Sequence, residues 1–232
     1  MRTRYGYPRV VVSAVVSLLL LAATGLAAAA TKPVPPNANA HGGYAALSAD
    51  WLEWVVAIPA PHNPLLDPTG ADAAQQQSGH VWFLAGTTGG PATRTVTVPA
   101  GTFLFFPIVN YFWVNTPEFG DPEWSPVQEE AVRAFLASHV DTAHDVQLQV
   151  DGQTVSNVAA LRISGDVGAC TVPADNIFGA AFAPGPHPCV ADGYWALLQP
   201  LAKGSHTIHF SGGLAADGFT LDVTYHITVS GR

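Results

Sequence analysis

Charged side chains are scarce in this sequence, and positively charged ones are the scarcest. Charged residues make up 11% of the 232 residues, with nine Lys and Arg against 17 Asp and Glu, and the formal net charge is −8. So acidic a chain repels phosphate backbones, and we therefore predict no nucleic-acid partner. With so few charges, apolar burial and backbone hydrogen bonds must supply most of the stability.

Cysteine is also scarce, since Cys170 and Cys189 are the only two. An even pair in a Gly- and Pro-rich stretch of an exported chain predicts a disulfide bond, with two free buried thiols as the alternative. One pair alone lacks the further ligands of a zinc site. No Gly-x-Ser-x-Gly, His-Glu-x-x-His or phosphate-loop motif is present, so the sequence indicates no catalytic class and no cofactor.

Long apolar runs are absent after residue 30, but one lies before it. Three arginines within residues 2–9 are followed by an almost wholly apolar run at 10–21 and by small alanines at 27–30. This layout predicts a secretory signal peptide at residues 1–30, with an uncleaved N-terminal anchor as the alternative. We therefore expect a secreted or extracytoplasmic protein that is not inserted in a membrane after signal cleavage.

The residues after this signal divide into a short linker and one domain. Three prolines and two glycines without an apolar period predict a linker at 31–43, and residues 44–232 suffice for a single domain with a sizeable core. Apolar residues on one helical face predict a helix over 47–58. A second helix is predicted to begin after Ser125, which has the features of an N-cap.

Strand patterns dominate the rest of the domain. Residues 145–155 and 219–229 alternate between apolar and polar, and so does 93–101, which we expect to form a hairpin with 102–110. Phe-Leu-Phe-Phe at 103–106 is apolar on both faces, so this strand must be covered on both sides. We predict a mostly β fold, an antiparallel β-sandwich of jelly-roll type with two accessory helices.

Several motifs occur together along this domain. They are W-x-x-W at 51–54, N-P at 63–64, D-x-T-G at 67–70, VWFLAG at 81–86, VPAG at 98–101 and LFFPI-x-N at 104–110. As a set they resemble an uncharacterised family of secreted bacterial proteins, and the resemblance covers most of the domain. It implies secretion and a single domain. It implies no activity, so it identifies no catalytic residue.

The strongest candidate for a binding site follows the Phe-rich strand. Aromatic side chains lie there among amides and carboxylates, in an expected loop at the end of a rigid strand. A sugar ring offers an apolar face that stacks on aromatic rings, and hydroxyls that need donors and acceptors. We predict a cleft for a glycan or another cell-envelope component, with the aromatics packing inward to anchor the loop as the alternative. Its predicted ligand-binding residues are Asn110, Tyr111, Trp113, Asn115 and Trp124.

Acidic residues in the same segment support a weaker hypothesis. Glu118, Asp121 and Glu123 could supply the two carboxyl groups of an extracellular glycoside hydrolase. A structural or self-associating envelope protein is a further alternative. We rank the non-enzymatic binding or surface-associated module first, the envelope protein second and the hydrolase third.

Metal binding has two weak candidate sites. Asp67 and Asp72 lie in a loop rich in turn-forming residues, and their oxygens suit calcium. His209 could lie near Asp222 and His226, which share the polar face of the last strand. Hydrogen bonds within turns also account for the two aspartates of the loop, and solvent exposure accounts for the residues on the strands. We therefore predict no bound metal.

Overall fold

The computed structural model of the protein describes residues 32–36 and 43–231. The predicted signal peptide, 1–30, and most of the predicted linker lie outside these residues. The described residues are mostly β with two α-helices, as the sequence predicted, and neither helix is long and apolar enough to span a membrane. The helices are α1 (Tyr44–Ala57) and α2 (Pro126–Val140). The strands are β1 (Val81–Phe83), β2 (Gly90–Pro99), β3 (Phe103–Val114), β4 (Ala143–Val150), β5 (Gln153–Thr154), β6 (Arg162–Ser164), β7 (Gly168–Val172), β8 (Gly185–Leu198), β9 (Gly204–Leu214) and β10 (Phe219–Ser230).

These strands form two sheets that pack against each other. Sheet 1 has the order β1-β3-β8-β6, with β7 also paired to β8, and sheet 2 has the order β2-β10-β9-β4-β5. Most pairs are antiparallel, but β1–β3 and β2–β10 are parallel. Apolar side chains of both sheets fill the space between them, where the rings of Phe106 and Phe210 lie 5.1 Å apart. Each sheet is therefore mixed, with one parallel pair at its edge.

The predicted hairpin between residues 93–101 and 102–110 is wrong. β2 pairs with β10 in sheet 2, whereas β3 lies between β1 and β8 in sheet 1. β2 buries only alternate residues, such as Val96 and Val98, which suits the edge of a sheet. β3 is apolar on both faces and takes an inner position. The turn between them carries the chain from one sheet to the other.

The Phe-rich strand β3 is covered on both faces, as predicted. Leu104 and Phe106 join the core between the sheets, while Phe105 faces α1 in a second apolar cluster. The Phe105 ring stacks on Trp195 of β8 at 5.4 Å, and Tyr44 of α1 meets it edge-on. The packing on both faces thus holds β3 in place and positions the residues at its carboxyl end.

A bulge lets β3 run past its proline. The register with β8 shifts between Pro107 and Val109, and pairing then continues as far as Val114. Proline lacks a backbone donor, so a bulge is where a paired strand tolerates it. As a result the strand extends into the segment in which the sequence predicted a loop.

The disulfide predicted from the sequence is present. Cys170 of β7 and Cys189 of β8 are bonded, and both are buried. The stretch between residues 161 and 192 is therefore more regular than its Gly and Pro content suggests, since it contains β6, β7 and the start of β8.

A buried arginine fixes the turn-rich loop at residues 59–79. Arg94 donates from Nε to the Asp67 carbonyl and from Nη1 to the Ala85 carbonyl and the Tyr225 hydroxyl, at 2.6–2.8 Å. Carbonyl and hydroxyl dipoles thus take the place of a carboxylate partner for these two nitrogens. The loop is tied to β2 by these bonds, which its turn-forming sequence did not indicate.

The pH dependence of stability should carry a signature of His206 on β9. Burial lowers the pKa of this ring, but hydrogen bonds to Asp151 and the Ala202 carbonyl and the Asp151 charge outweigh burial and raise the pKa. A raised folded-state pKa gives stability that is complete below the unfolded pKa and is lost as pH rises through the folded value. We expect His206→Gln to cost about 1 kcal/mol in urea unfolding at pH 5.5, and clearly less at pH 8.5.

The matched control for this prediction is His226→Gln, because His226 lies exposed on the outer face of β10. Its cost should be small at both pH values. An equal cost of His206→Gln at pH 5.5 and 8.5 contradicts the assignment.

Candidate functional site

The candidate binding residues Asn110, Tyr111 and Trp113 lie on β3 and not in a loop. Side chains alternate along a strand, so Tyr111 and Trp113 share one face and Asn110 and Phe112 the other. Tyr111 and Trp113 lie under α2, where the Phe135 ring meets them at 6.0 and 5.4 Å. All three candidates, and Phe112 between them, are partly exposed.

Two adjoining cavities border this end of β3. The smaller, of about 410 Å³, is the one we call the aromatic groove; the larger, of about 650 Å³, we call the inner cavity. Both are lined by Tyr111, Phe112 and Phe178. The aromatic rings that line the groove are Tyr111, Phe112, Trp113, Phe119, Phe135, Phe178 and Phe182.

One wall of the groove is the loop that carries Phe178 and Phe182. Asn176 organises this loop, since its Nδ2 donates to the Pro173 and Phe182 carbonyls and its Oδ1 accepts from the Phe178 amide at 2.9 Å. The two phenylalanine rings stack at 4.5 Å. Hydrogen bonds within the loop therefore hold this wall in shape without a ligand.

The opposite wall is the segment that follows β3, and two of its predicted site residues hold it in place. Asp121 Oδ2 accepts from the backbone amide and the hydroxyl of Thr116 at 2.7 and 2.9 Å. Asn115 is 1% exposed and donates to the Pro122 carbonyl. Asn115 lines neither the groove nor the inner cavity, and its role in ligand binding stays a prediction.

Trp124 also lies away from the groove. It packs with the apolar cluster beneath α2 that includes Val132, Leu136 and Val190. Of the five predicted ligand-binding residues, Tyr111 and Trp113 therefore line the groove and Asn110 lines the inner cavity. The inward packing given as the alternative is seen for Trp124, and Tyr111 and Trp113 pack against the same cluster while also lining the groove.

Two donors beside these cavities have no partner within the described part of the chain. They are Asn110 Nδ2 and Trp113 Nε1. Gly193 on β8 lies opposite Asn110, and a Cβ there would come within 2.5 Å of the Asn110 Cβ. Glycine is thus required for Asn110 to take this position. Buried donors are normally bonded, so unbonded ones beside a cavity can serve a ligand.

A carboxylate that sequence reasoning missed lies at the rim of the inner cavity. Asp217 accepts from His139 Nδ1 at 2.9 Å, and the Tyr111 ring stacks on His139. Burial together with the charge and hydrogen bonding of Asp217 raises the pKa of Tyr111. The three residues come from separate elements, and His139 and Asp217 are 78 residues apart, so no local pattern could reveal them.

The three acidic residues proposed for hydrolysis have different surroundings. Glu118 and Glu123 are exposed, while Asp121 is bonded to Thr116. Hydrogen bonds from its own backbone amide and from that of Ala183 lower the pKa of Glu118. A general acid of a glycoside hydrolase needs a raised pKa. The lowered pKa of Glu118 does not suit that role.

The first proposed metal site is explained by turn chemistry. Asp67 Oδ1 accepts from the amide and hydroxyl of Thr69, and Oδ2 accepts from the Asp72 amide at 2.9 Å. Burial opposes ionisation of Asp67, but these hydrogen bonds outweigh it and lower its pKa. The Asp67 carboxylate is thus occupied by its own loop.

The second proposed metal site reduces to a pair of residues. His209 Nε2 lies 3.0 Å from Asp222 Oδ1, while His226 pairs with Thr207, further along the strands. Across residues 32–36 and 43–231, no three His, Cys, Asp or Glu side chains are grouped so as to hold a metal ion.

In comparisons with known proteins, no protein-family model, no curated protein and no solved structure matches this chain.

Proposed function

We propose that this protein is an exported binding module that takes a carbohydrate in the aromatic groove. The basic and apolar layout of residues 1–30 supports export, as does the Cys170–Cys189 disulfide, because disulfides form and persist outside the reducing cytosol. The proposal assigns the protein a binding role and no chemical reaction.

The observation that carries the proposal is the groove itself. Its volume of about 410 Å³ falls within the usual range of small-molecule sites, roughly 300–1,000 Å³. Seven aromatic rings provide faces on which the C–H surface of a sugar can stack. Asn110 and Asp217 line the adjoining inner cavity and supply polar groups of the kind that sugar hydroxyls need.

Charge narrows the class of glycan. The chain is acidic overall, and Asp217 is the carboxylate that lines the inner cavity. Uronic acids and sulfated sugars would meet like charge at this site, which disfavours binding. We therefore propose a neutral or amino-sugar-containing glycan.

Glycan binding is tested with the purified protein on an array of neutral, amino-sugar and acidic cell-wall glycans, followed by titration calorimetry on the best ligand. We expect binding to neutral or amino-sugar glycans. Phe178→Leu keeps an apolar side chain and removes the ring face, so we expect the affinity to fall about tenfold, the value of one aromatic stacking contact.

The control for this experiment is Leu66→Ala, since Leu66 is exposed and does not line the groove. Its affinity should equal that of the native protein, and thermal melting should show both variants folded. Failure of the native protein to bind any glycan on the array, or native affinity in Phe178→Leu, rejects the proposal.

A further inference from the structure

His187 joins the two walls of the aromatic groove. It lies on β8, is 8% exposed, and lies between two backbone carbonyls. Its Nδ1 is 2.8 Å from the Asn115 carbonyl oxygen, and its Nε2 is 2.8 Å from the Ala183 carbonyl oxygen. Asn115 begins one wall, and Ala183 directly follows Phe182 of the other.

Whether both contacts can be hydrogen bonds depends on the protonation state of the ring. A carbonyl oxygen accepts hydrogen bonds and cannot donate them, while a neutral imidazole carries one N–H and one lone pair. Only the protonated ring can donate to both Asn115 and Ala183. In the neutral ring one nitrogen presents a lone pair to a carbonyl oxygen at hydrogen-bond distance, and that contact must lengthen or take in water.

Within the described residues, the charged group that faces His187 is a carboxylate. Glu118, from the turn Pro117–Phe119, has an electrostatic interaction with His187, and its Oε1 accepts from the Ala183 amide. On the neighbouring strand β7, Cys170 is opposite His187, and it is held in the disulfide and does not titrate. The Phe182 ring covers the imidazole at 5.6 Å.

We propose that His187 is a positioning residue that holds the walls of the aromatic groove together when protonated and releases one of them when neutral. Because only the protonated ring can donate to both carbonyl oxygens, we expect the groove to be more ordered at acidic than at alkaline pH. One consequence rests on the proposed function: if the groove binds a glycan, that binding is tighter at acidic pH. The coupling of His187 to the walls stands on the geometry alone.

The test uses hydrogen–deuterium exchange of the full chain without ligand, at pH 5.5 and 8.0, after correction for the intrinsic effect of pH on exchange. Peptides that cover residues 114–121 and 176–184 report on the two walls. We expect protection in at least one wall to be about tenfold greater at pH 5.5, since hydrogen bonds to a charged group are the stronger ones. In His187→Gln the protection should be the same at both pH values.

His226→Gln is the control and should keep the native pH dependence, because His226 lies exposed on β10. If His187→Gln fails to fold, the native protein still decides: its NMR spectrum should show two hydrogen-bonded ring N–H protons of His187 at pH 5.5 and one at pH 8.0. Equal protection of both walls at the two pH values in the native protein overturns the inference. Because no glycan is present, pH-dependent protection without glycan binding would reject the proposed ligand and keep the role of His187.

Discussion

Replacement of Phe105 by alanine is expected to lower the free energy of unfolding by about 3–5 kcal/mol. Phe105 is 0% exposed and lies where β3 meets α1, stacked on Trp195 and in edge contact with Tyr44 and Phe83. Its neighbours belong to three elements held by their own hydrogen bonds, so they cannot move in to fill the space. Urea unfolding monitored by circular dichroism measures the loss.

The matched control is Phe119→Ala, since the same atoms are removed from a side chain that is 58% exposed. We expect a change within about 0.5 kcal/mol. A domain of this kind has a total stability of about 5–15 kcal/mol, so Phe105→Ala alone should remove a large share of it. Equal effects of the two substitutions would mean that the α1 side of sheet 1 contributes little to stability.

Removal of the disulfide should have the second-largest effect. The double variant Cys170→Ala and Cys189→Ala frees a chain segment closed over a sequence separation of 19, which costs about 3 kcal/mol in the chain-entropy model. The bond also joins β7 to β8 beside His187. We therefore expect a lower urea midpoint together with weaker protection of the wall that contains Phe178 and Phe182.

A reducing agent provides the control for this prediction. After the native protein is unfolded, reduced and refolded, its free energy of unfolding should equal that of the double variant. The same reagent should leave the free energy of unfolding of the variant unchanged. If the double variant is as stable as the native protein, the bond is dispensable for the fold.

Local signals in the sequence predicted the elements they could specify. Ser125 caps α2 by accepting from the Gln128 amide, and the alternating residues 219–229 lie in β10. The run at 103–106 predicted a strand with two covered faces, as observed. Each of these features depends on neighbouring residues, so no knowledge of the rest of the chain was needed.

Local sequence signals did not predict which strands pair with each other. A strand with one buried face, such as β2, fits any sheet edge of matching period, and its partner β10 is distant in sequence. The site was missed in part for the same reason, since Tyr111, His139 and Asp217 meet only in the folded chain. A bulge accommodates Pro107, so β3 continues into the segment in which a loop was predicted.

The place of β10 in sheet 2 has a consequence for the order of folding. Because β10 lies between β2 and β9, the early strand β2 has no sheet neighbour until residues 219–230 have been synthesised. Contacts between such distant segments close large loops, which slows folding. The edge of sheet 2 that β2 forms is therefore completed only after β10 is in place. For a polypeptide exported as proposed here, β2 takes its place in sheet 2 only after residues 219–230 have also been translocated.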